Sequence, residues 1–344
     1  MNQKDLSILV VGAGAIGGIT AAILKRSGYD VEIIAKYDDY AGLISSSGFH
    51  ISGARGNFIQ KMKAWSAPTA ETGRKDIILL ATKATDMMEA AREVVHLLKD
   101  DGLMVSLQNG ICEDDLAKIA GRNRIVGCVV AWGATMISRG DLFMSSTGEF
   151  VIGYLDGNRD ERLENISEIL SSIVPVRITD NIMGHLYSKL IINSCITLPG
   201  AISGLHVGKM LSERKIRKIF IEIMREALAV SVKMGIKVEK FGKRLDFYRV
   251  VEKEGLIADL KRHLLMRIIG FRYRKLRSSS LQSLERGKPT EVDYFNGYIA
   301  RNGSLHGVDT PVNTAIVKII HEIEAGKRKI SLTNFNDPVF DRFN

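Results

Sequence analysis

The sequence predicts an α/β protein, with an N-terminal Rossmann-type doubly wound parallel sheet followed by a C-terminal all-helical domain. Three observations carry this expectation. Apolar runs of strand length alternate with helical stretches through the first half. A glycine-rich turn, Gly12-Ala13-Gly14-Ala15-Ile16-Gly17-Gly18, joins the first of those runs to an apolar helix. Beyond Asp180 the strand pattern stops and long helical periods take over.

Taken in order, the expected strands are Ser7–Val11, Val31–Ala35, Ile77–Ala81, Leu103–Leu107 and Ile125–Val130. Each is apolar almost throughout, without polar alternation, as a parallel strand covered by helices on both faces requires. Helices are expected between them, among others over Ile16–Ser27, stopped by Gly28, and over Met87–Leu98. Phe150–Tyr154 and Val174–Ile178 read as two further strands. The clearest later helices are Met183–Leu198, Glu213–Met234 and Thr310–Ala325, the last with Thr310 as its cap, Pro311 as its first residue and Gly326 as its stop. The expected division is therefore 1–179 for the dinucleotide-binding domain, 180–335 for the helical domain carrying the catalytic residues, and 336–344 for a loose tail.

Composition narrows the class. The 344 residues are 45% hydrophobic and 25% charged, enough apolar content to exclude a disordered chain. Cys112, Cys128 and Cys195 form no CxxC and cannot all pair, which points to a reducing, cytoplasmic setting. The polar start shows no secretory signal, and no apolar run approaches the ~20 residues that span a bilayer. Lys and Arg (48) outnumber Asp and Glu (39), for a net charge of +9. That favours an anionic partner without choosing among a small anion, nucleic acid and a membrane surface.

The glycine turn is GxGxxG in its required setting, after a strand and before a helix. Gly12 would allow the tight turn, Gly14 the approach of a pyrophosphate, and Gly17 the close packing of helix on strand. The helix N-terminus adds free N–H groups for the phosphates. An NAD site places Asp or Glu at the end of the second strand; here that strand ends in Lys36, which suits the 2′-phosphate of NADP.

Lys83, in ATKATD, and Asn109, in LQNG, follow strands whose carboxyl ends face the ligand crevice in such sheets, although each could equally be an ordinary loop residue. Lys189 lies in the apolar segment LYSKLIINSCITLPG and shares a helix face with Asn193 and Thr197. Among Leu190, Ile191 and Ile192 its ammonium would be partly desolvated, lowering its pKa toward that of a general acid. Snorkelling to solvent is the competing reading. Farther on, Ser278–Gln282 precedes a Gly-Lys-Pro turn. Thr290 and Asp293 then fit a capping box, which would leave Glu291 merely dipole-favourable.

Taken together, these residues resemble the ketopantoate reductase family, NADP-dependent reductases of 2-oxo acids. VVGAGAIGG, ATKATD, LQNG, SKLIINSCITLPG, SSSLQSLERGKPTEVDYFNG and HGVDTPVN occur in the family's order and cover most of the chain. The resemblance implies that Lys189 and Glu291 are catalytic, Lys189 protonating or polarising the substrate carbonyl and Glu291 lying near the reacting oxygen and nicotinamide. It implies cofactor contacts from Gly12, Gly14, Ala15, Ile16, Gly17, Lys36, Lys83, Asn109, Gly133 and Glu291. Substrate contacts are implied for Asn109, Lys189, Asn193, Thr197 and Ser279. The implied reaction is NADPH-dependent reduction of ketopantoate (2-dehydropantoate) to pantoate, as in pantothenate and coenzyme A biosynthesis.

Two positions depart from the family. Thr197 stands where a second helix asparagine is usual, and another substrate-side asparagine is replaced around Val207-Gly208. A different 2-oxo acid is therefore the alternative substrate. The non-enzymatic alternative is an NADP-binding sensor using a basic segment: Lys261, Arg262, Arg267, Arg272, Arg274, Lys275 and Arg277 are interleaved with apolar residues. A solvated helix face is the simpler reading of that segment. No nucleic-acid motif supports base recognition, and no stable membrane insertion is expected. The seven histidines show no metal-ligand spacing, so no metal is expected, and a homodimer stays open.

Overall fold

The protein was described from a computed structural model covering residues 3–242, 245–252 and 255–343. It divides into two compact units, Met1–Leu186 and Tyr187–Asn344.

Among the described residues the first unit holds twelve strands: β1 (Ser7–Val11), β2 (Asp30–Ile34), β3 (Phe49–Gly53), β4 (Phe58–Gln60), β5 (Ala64–Trp65), β6 (Lys75–Leu80), β7 (Leu98–Ser106), β8 (Ile125–Val130), β9 (Gly133–Ser138), β10 (Asp141–Ser146), β11 (Phe150–Tyr154) and β12 (Val176–Ile178). Eight form one sheet in the order β12-β11-β8-β7-β6-β1-β2-β5. Neighbours from β5 to β8 run parallel, and β11 joins β8 antiparallel. The order reverses between β1 and β6, the place where such sheets bind their ligands. The residues of β1, β6 and β8 are almost all buried, which is why their sequences carry no alternation.

A second, four-stranded sheet, β4-β3-β10-β9, was not expected from the sequence. β4 is only three residues long, β3 alternates only over Phe49–Ser52, and β9 and β10 carry glycine and serine on partly exposed faces, so none gives an unbroken apolar run.

The second unit is helical. Its first long helix, Ile182–Ser203, begins within the first unit and runs past the expected end at Leu198, through Pro199, ending only at Gly204, whose φ is +74°. Proline normally interrupts a helix, but Leu198–Ile202 is buried throughout, and tertiary packing carries the helix on. Gly200 serves a different purpose, since a Cβ there would lie 2.8 Å from the Ser278 Cβ.

The expected loose tail is instead a packed end. Pro338–Phe343 forms a 3₁₀ turn, Phe340 is buried against Phe335, and Lys218 donates to the Phe343 carbonyl. Asn344, the last residue of that expectation, lies outside the described residues. Among the described residues no helix is long and apolar enough to cross a membrane.

Candidate active site

In the first unit, parallel pairing brings the ends of β1, β2, β6, β7 and β8 to one edge of the sheet. Gly12, Lys36, Lys83, Asn109 and Gly133 each follow one of these strands. Gly12 has φ +107°, and a Cβ on it would stand 2.8 Å from the Ala81–Thr82 backbone beyond β6. A Cβ on Gly17 would lie 2.0 Å from the Gly12 carbonyl oxygen. Gly14 differs: no atom lies within 4 Å of its absent Cβ. The helix Ala15–Arg26 starts there with no side-chain cap and no acidic residue in its first turn. Room above Gly14 and unsatisfied amides beside it fit an anionic dinucleotide.

The remaining groups on this edge are polar and accessible. Lys36 is exposed, 3.6 Å from Asp86. Lys83 occupies the cap position of the helix Ala84–Val94, and Asn109 is exposed in the loop beyond β7. Gly133 opens β9; its amide donates to the Ser146 hydroxyl at 3.1 Å, and a Cβ would meet Ser145 Oγ at 2.4 Å.

In the second unit the Ile182–Ser203 helix is buried on most sides. Lys189, Ile192, Asn193 and Ile196 form its half-buried strip, so Lys189 and Asn193 share the accessible face. Thr197 lies one turn on and is buried, and its carbonyl accepts a hydrogen bond from Ser278 Oγ at 2.6 Å. Ser278 also caps the helix Ser279–Glu285, leaving Ser279 exposed at its first position. Glu291 is half-buried at the head of the turn Val292–Tyr294.

The capping box expected at Thr290 and Asp293 is not formed. The Thr290 amide and hydroxyl both donate to Glu324 Oε1 at 2.8 Å, and Asp293 faces His321 at 3.3 Å. A carboxylate from the later helix outcompetes the local partner, so Glu291 is held in a turn pinned from outside. Thr310 likewise sits at the cap position of Pro311–Glu324 without capping it. That role falls to buried Glu226, which accepts from the amides of Val312 (2.8 Å) and Asn313 (2.9 Å). Asn313 Nδ2 also donates to Glu226, and Asn296 Nδ2 donates to Asn313 Oδ1 at 2.8 Å. Burial raises the Glu226 carboxyl pKa, against the three hydrogen bonds that lower it.

Comparison with known proteins decides the family. The family model described as "Ketopantoate reductase PanE/ApbA" matches residues 8–157, and its C-terminal counterpart matches residues 181–324. The chain belongs to the ketopantoate reductase family. It is accordingly an oxidoreductase acting on a CH–OH group, in a family that uses NADPH. It is 28% identical to the 2-dehydropantoate 2-reductase of Pyrococcus horikoshii, covering 94% of this chain and 100% of the relative. It is 26% identical to the Archaeoglobus fulgidus enzyme of the same name, over 93% and 98%. A PanE/ApbA family ketopantoate reductase structure from Ralstonia eutropha superposes with TM-score 0.80 at 27% identity, covering 94% of this chain and 99% of that one. A D-mandelate dehydrogenase with NADH and anilino(oxo)acetate shares the fold, with TM-score 0.79 at 21% identity over 94% and 99%.

Within this ketopantoate reductase relative, several supporting residues have no sequence motif. The buried Tyr40 hydroxyl donates to the Ala13 carbonyl at 2.9 Å, steadying the glycine turn. Buried Gln108 accepts from Ser106 Oγ at 2.9 Å and reaches Thr82 at 3.4 Å, tying the ends of β6 and β7 beside Asn109. Glu113, 1% exposed, accepts from the Cys112 amide at 2.9 Å and closes the Asn109 loop from behind. Burial pushes its carboxyl up to about 7.

Because the folded carboxyl holds its proton more tightly than the unfolded one, its contribution is present at low pH and lost as pH rises from about 4.5 to about 7. Glu113→Gln is expected to remove that dependence. Thermal unfolding of wild type and variant across this window is the check, with a differential on the order of 3 kcal/mol. Parallel curves for the two proteins would contradict it.

Proposed function

We propose that the chain reduces ketopantoate to pantoate with NADPH, the step that supplies pantoate for pantothenate and coenzyme A. The observation that carries this reading is Lys189 on the accessible strip of an otherwise buried helix, with Asn193 one turn away. Bound NADPH supplies the hydride to C2 of the oxo acid. Charge then builds on the carbonyl oxygen, and the Lys189 ammonium stabilises it and delivers the proton. Asn193 and Ser279 hold the carboxylate end, while Glu291 orients the reacting oxygen. The amides of Ala15, Ile16 and Gly17, at the helix start that no side chain caps, take the pyrophosphate, with Lys83, Asn109 and Gly133 lining the same sheet edge.

Lys36 supports the choice of NADPH, because its partner Asp86 is 3.6 Å away and the two side chains are 64% and 47% exposed, leaving the ammonium able to turn to a 2′-phosphate. Lys36→Ala is expected to raise KM for NADPH about 10- to 100-fold, as loss of a charge-assisted hydrogen bond would, with KM for NADH nearly unchanged. Equal changes for both cofactors would remove Lys36 from 2′-phosphate recognition.

A different 2-oxo acid is the second reading. It is favoured by Thr197, which is buried with its carbonyl engaged, and by Gly208, where a Cβ would lie 2.7 Å from the Arg274 Cα. Neither place has an asparagine, and a site lacking matched donors discriminates poorly. Ranking a panel of 2-oxo acids by kcat/KM separates the readings: ketopantoate leads in the first, and another acid leads by tenfold or more in the second.

A further inference from the structure

The segment 290–296, which carries Glu291, is tied to one helix later in the chain, Pro311–Glu324. Asn313 Oδ1 accepts from Asn296 Nδ2 at 2.8 Å, His321 faces Asp293 at 3.3 Å, and Glu324 Oε1 accepts from Thr290. At 100° per residue Asn313, His321 and Glu324 lie within about 80° of one another, so a single helix face shapes the whole segment.

Of the three, Glu324 is placed against its local preference. It is the last residue of its helix, where the aligned carbonyls disfavour a carboxylate. Glu322 beside it meets the Arg328 guanidinium at 2.6 Å, whereas Glu324 turns to Thr290, which is 4% exposed. The Thr290 amide and hydroxyl each donate to Glu324 Oε1 at 2.8 Å, and bonds to a carboxylate are the strong kind. Because the hydroxyl gives its hydrogen to Glu324, a lone pair is left for the Val292 amide, which donates to it at 3.3 Å. The chain Glu324–Thr290–Val292 thus fixes the backbone on both sides of Glu291. A residue that breaks a local rule in this way marks a functional position.

We infer that Glu324 is a positioning residue for the reaction: through Thr290 it sets the direction in which Glu291 points. The inference rests on the reading in which Glu291 orients the reacting oxygen. A displacement of about 1 Å at such a group slows a reaction on the order of 100-fold. Both Thr290 bonds end on one oxygen, so an amide at position 324 accepts them as a carboxylate does, while a methyl accepts neither.

Glu324→Ala is expected to lower kcat for ketopantoate reduction about 10- to 100-fold, with KM for NADPH within about twofold of wild type. Glu324→Gln should restore kcat to within about threefold. In a Glu291→Ala background, adding Glu324→Ala should change kcat by less than about twofold, because the group it serves is gone. Amide hydrogen exchange gives a readout independent of turnover. In Glu324→Ala the amides of 290–294 should exchange about tenfold faster or more, while those of 312–320 stay as in wild type. Unchanged exchange at 290–294, equal acceleration in both segments, equal losses of kcat in Glu324→Gln and Glu324→Ala, or a full further loss on top of Glu291→Ala would each overturn the inference alone. Undiminished kcat in Glu291→Ala would overturn it by another route, since Glu291 would then have no part in the reaction for Glu324 to serve.

Discussion

Lys189→Ala is expected to lower kcat for ketopantoate reduction by about three orders of magnitude, within the range a positioned general acid contributes. The dissociation constant for NADPH should stay within about twofold of wild type. The separation follows from where the groups sit. Lys189 belongs to the helical unit, whereas the glycine turn, Lys36 and Lys83 belong to the first. On the Ile182–Ser203 helix the neighbours Leu186, Leu190 and Ile191 are buried, so truncating Lys189 on the accessible strip leaves the packing in place. Lys189→Arg keeps the charge but gives up an easily transferred proton, and should recover only part of the rate. Steady-state kinetics together with NADPH titration by fluorescence check both parts. Undiminished kcat in Lys189→Ala would remove the lysine from the chemistry.

The second large effect separates two glycines three residues apart. Gly17→Ala puts a methyl carbon 2.0 Å from the Gly12 carbonyl oxygen and 2.8 Å from the Ala81 Cβ. Both contacts are held by the sheet, so the helix must part from its strand, at a cost of about 3 kcal/mol or more. Gly14→Ala meets nothing within 4 Å, and its φ of −75° suits any residue. Stability should therefore change by less than about 1 kcal/mol, while the methyl occupies the approach to the helix amides and weakens NADPH binding about 100-fold. Thermal unfolding without cofactor and NADPH titration distinguish them. If Gly14→Ala binds NADPH as wild type does, the pyrophosphate does not pass over Gly14.

Much of this was legible beforehand because the decisive features are local. Strands β1, β6 and β8 betray themselves as unbroken apolar runs, and the glycine turn needs a positive φ at Gly12 that few other residues supply. The functional-motif positions were readable as separated segments in a family's order. What escaped was non-local. Glu226 caps a helix 87 residues away through Asn313, and Glu324 takes the Thr290 groups that a local capping box would have used. Glu113 looks like a surface acid next to Asp114 and Asp115 until the sheet buries it. Pro199 reads as a stop until the packing around Leu198 and Ala201 overrides it. The second sheet was hidden for the opposite reason: β9 and β10, though six residues each, carry glycine and serine on partly exposed faces and hold no unbroken apolar run.

The reaction proposed for this chain is hydride delivery from NADPH to C2 of a 2-oxo acid. It is tested most directly with NADPH deuterated at C4 of the nicotinamide, on the face transferred, and ketopantoate as substrate. Mass spectrometry should find pantoate carrying one deuterium at C2, formed in step with NADPH oxidation. Stable NADPH and no labelled hydroxy acid from ketopantoate or any related 2-oxo acid, with cofactor demonstrably bound, would contradict it.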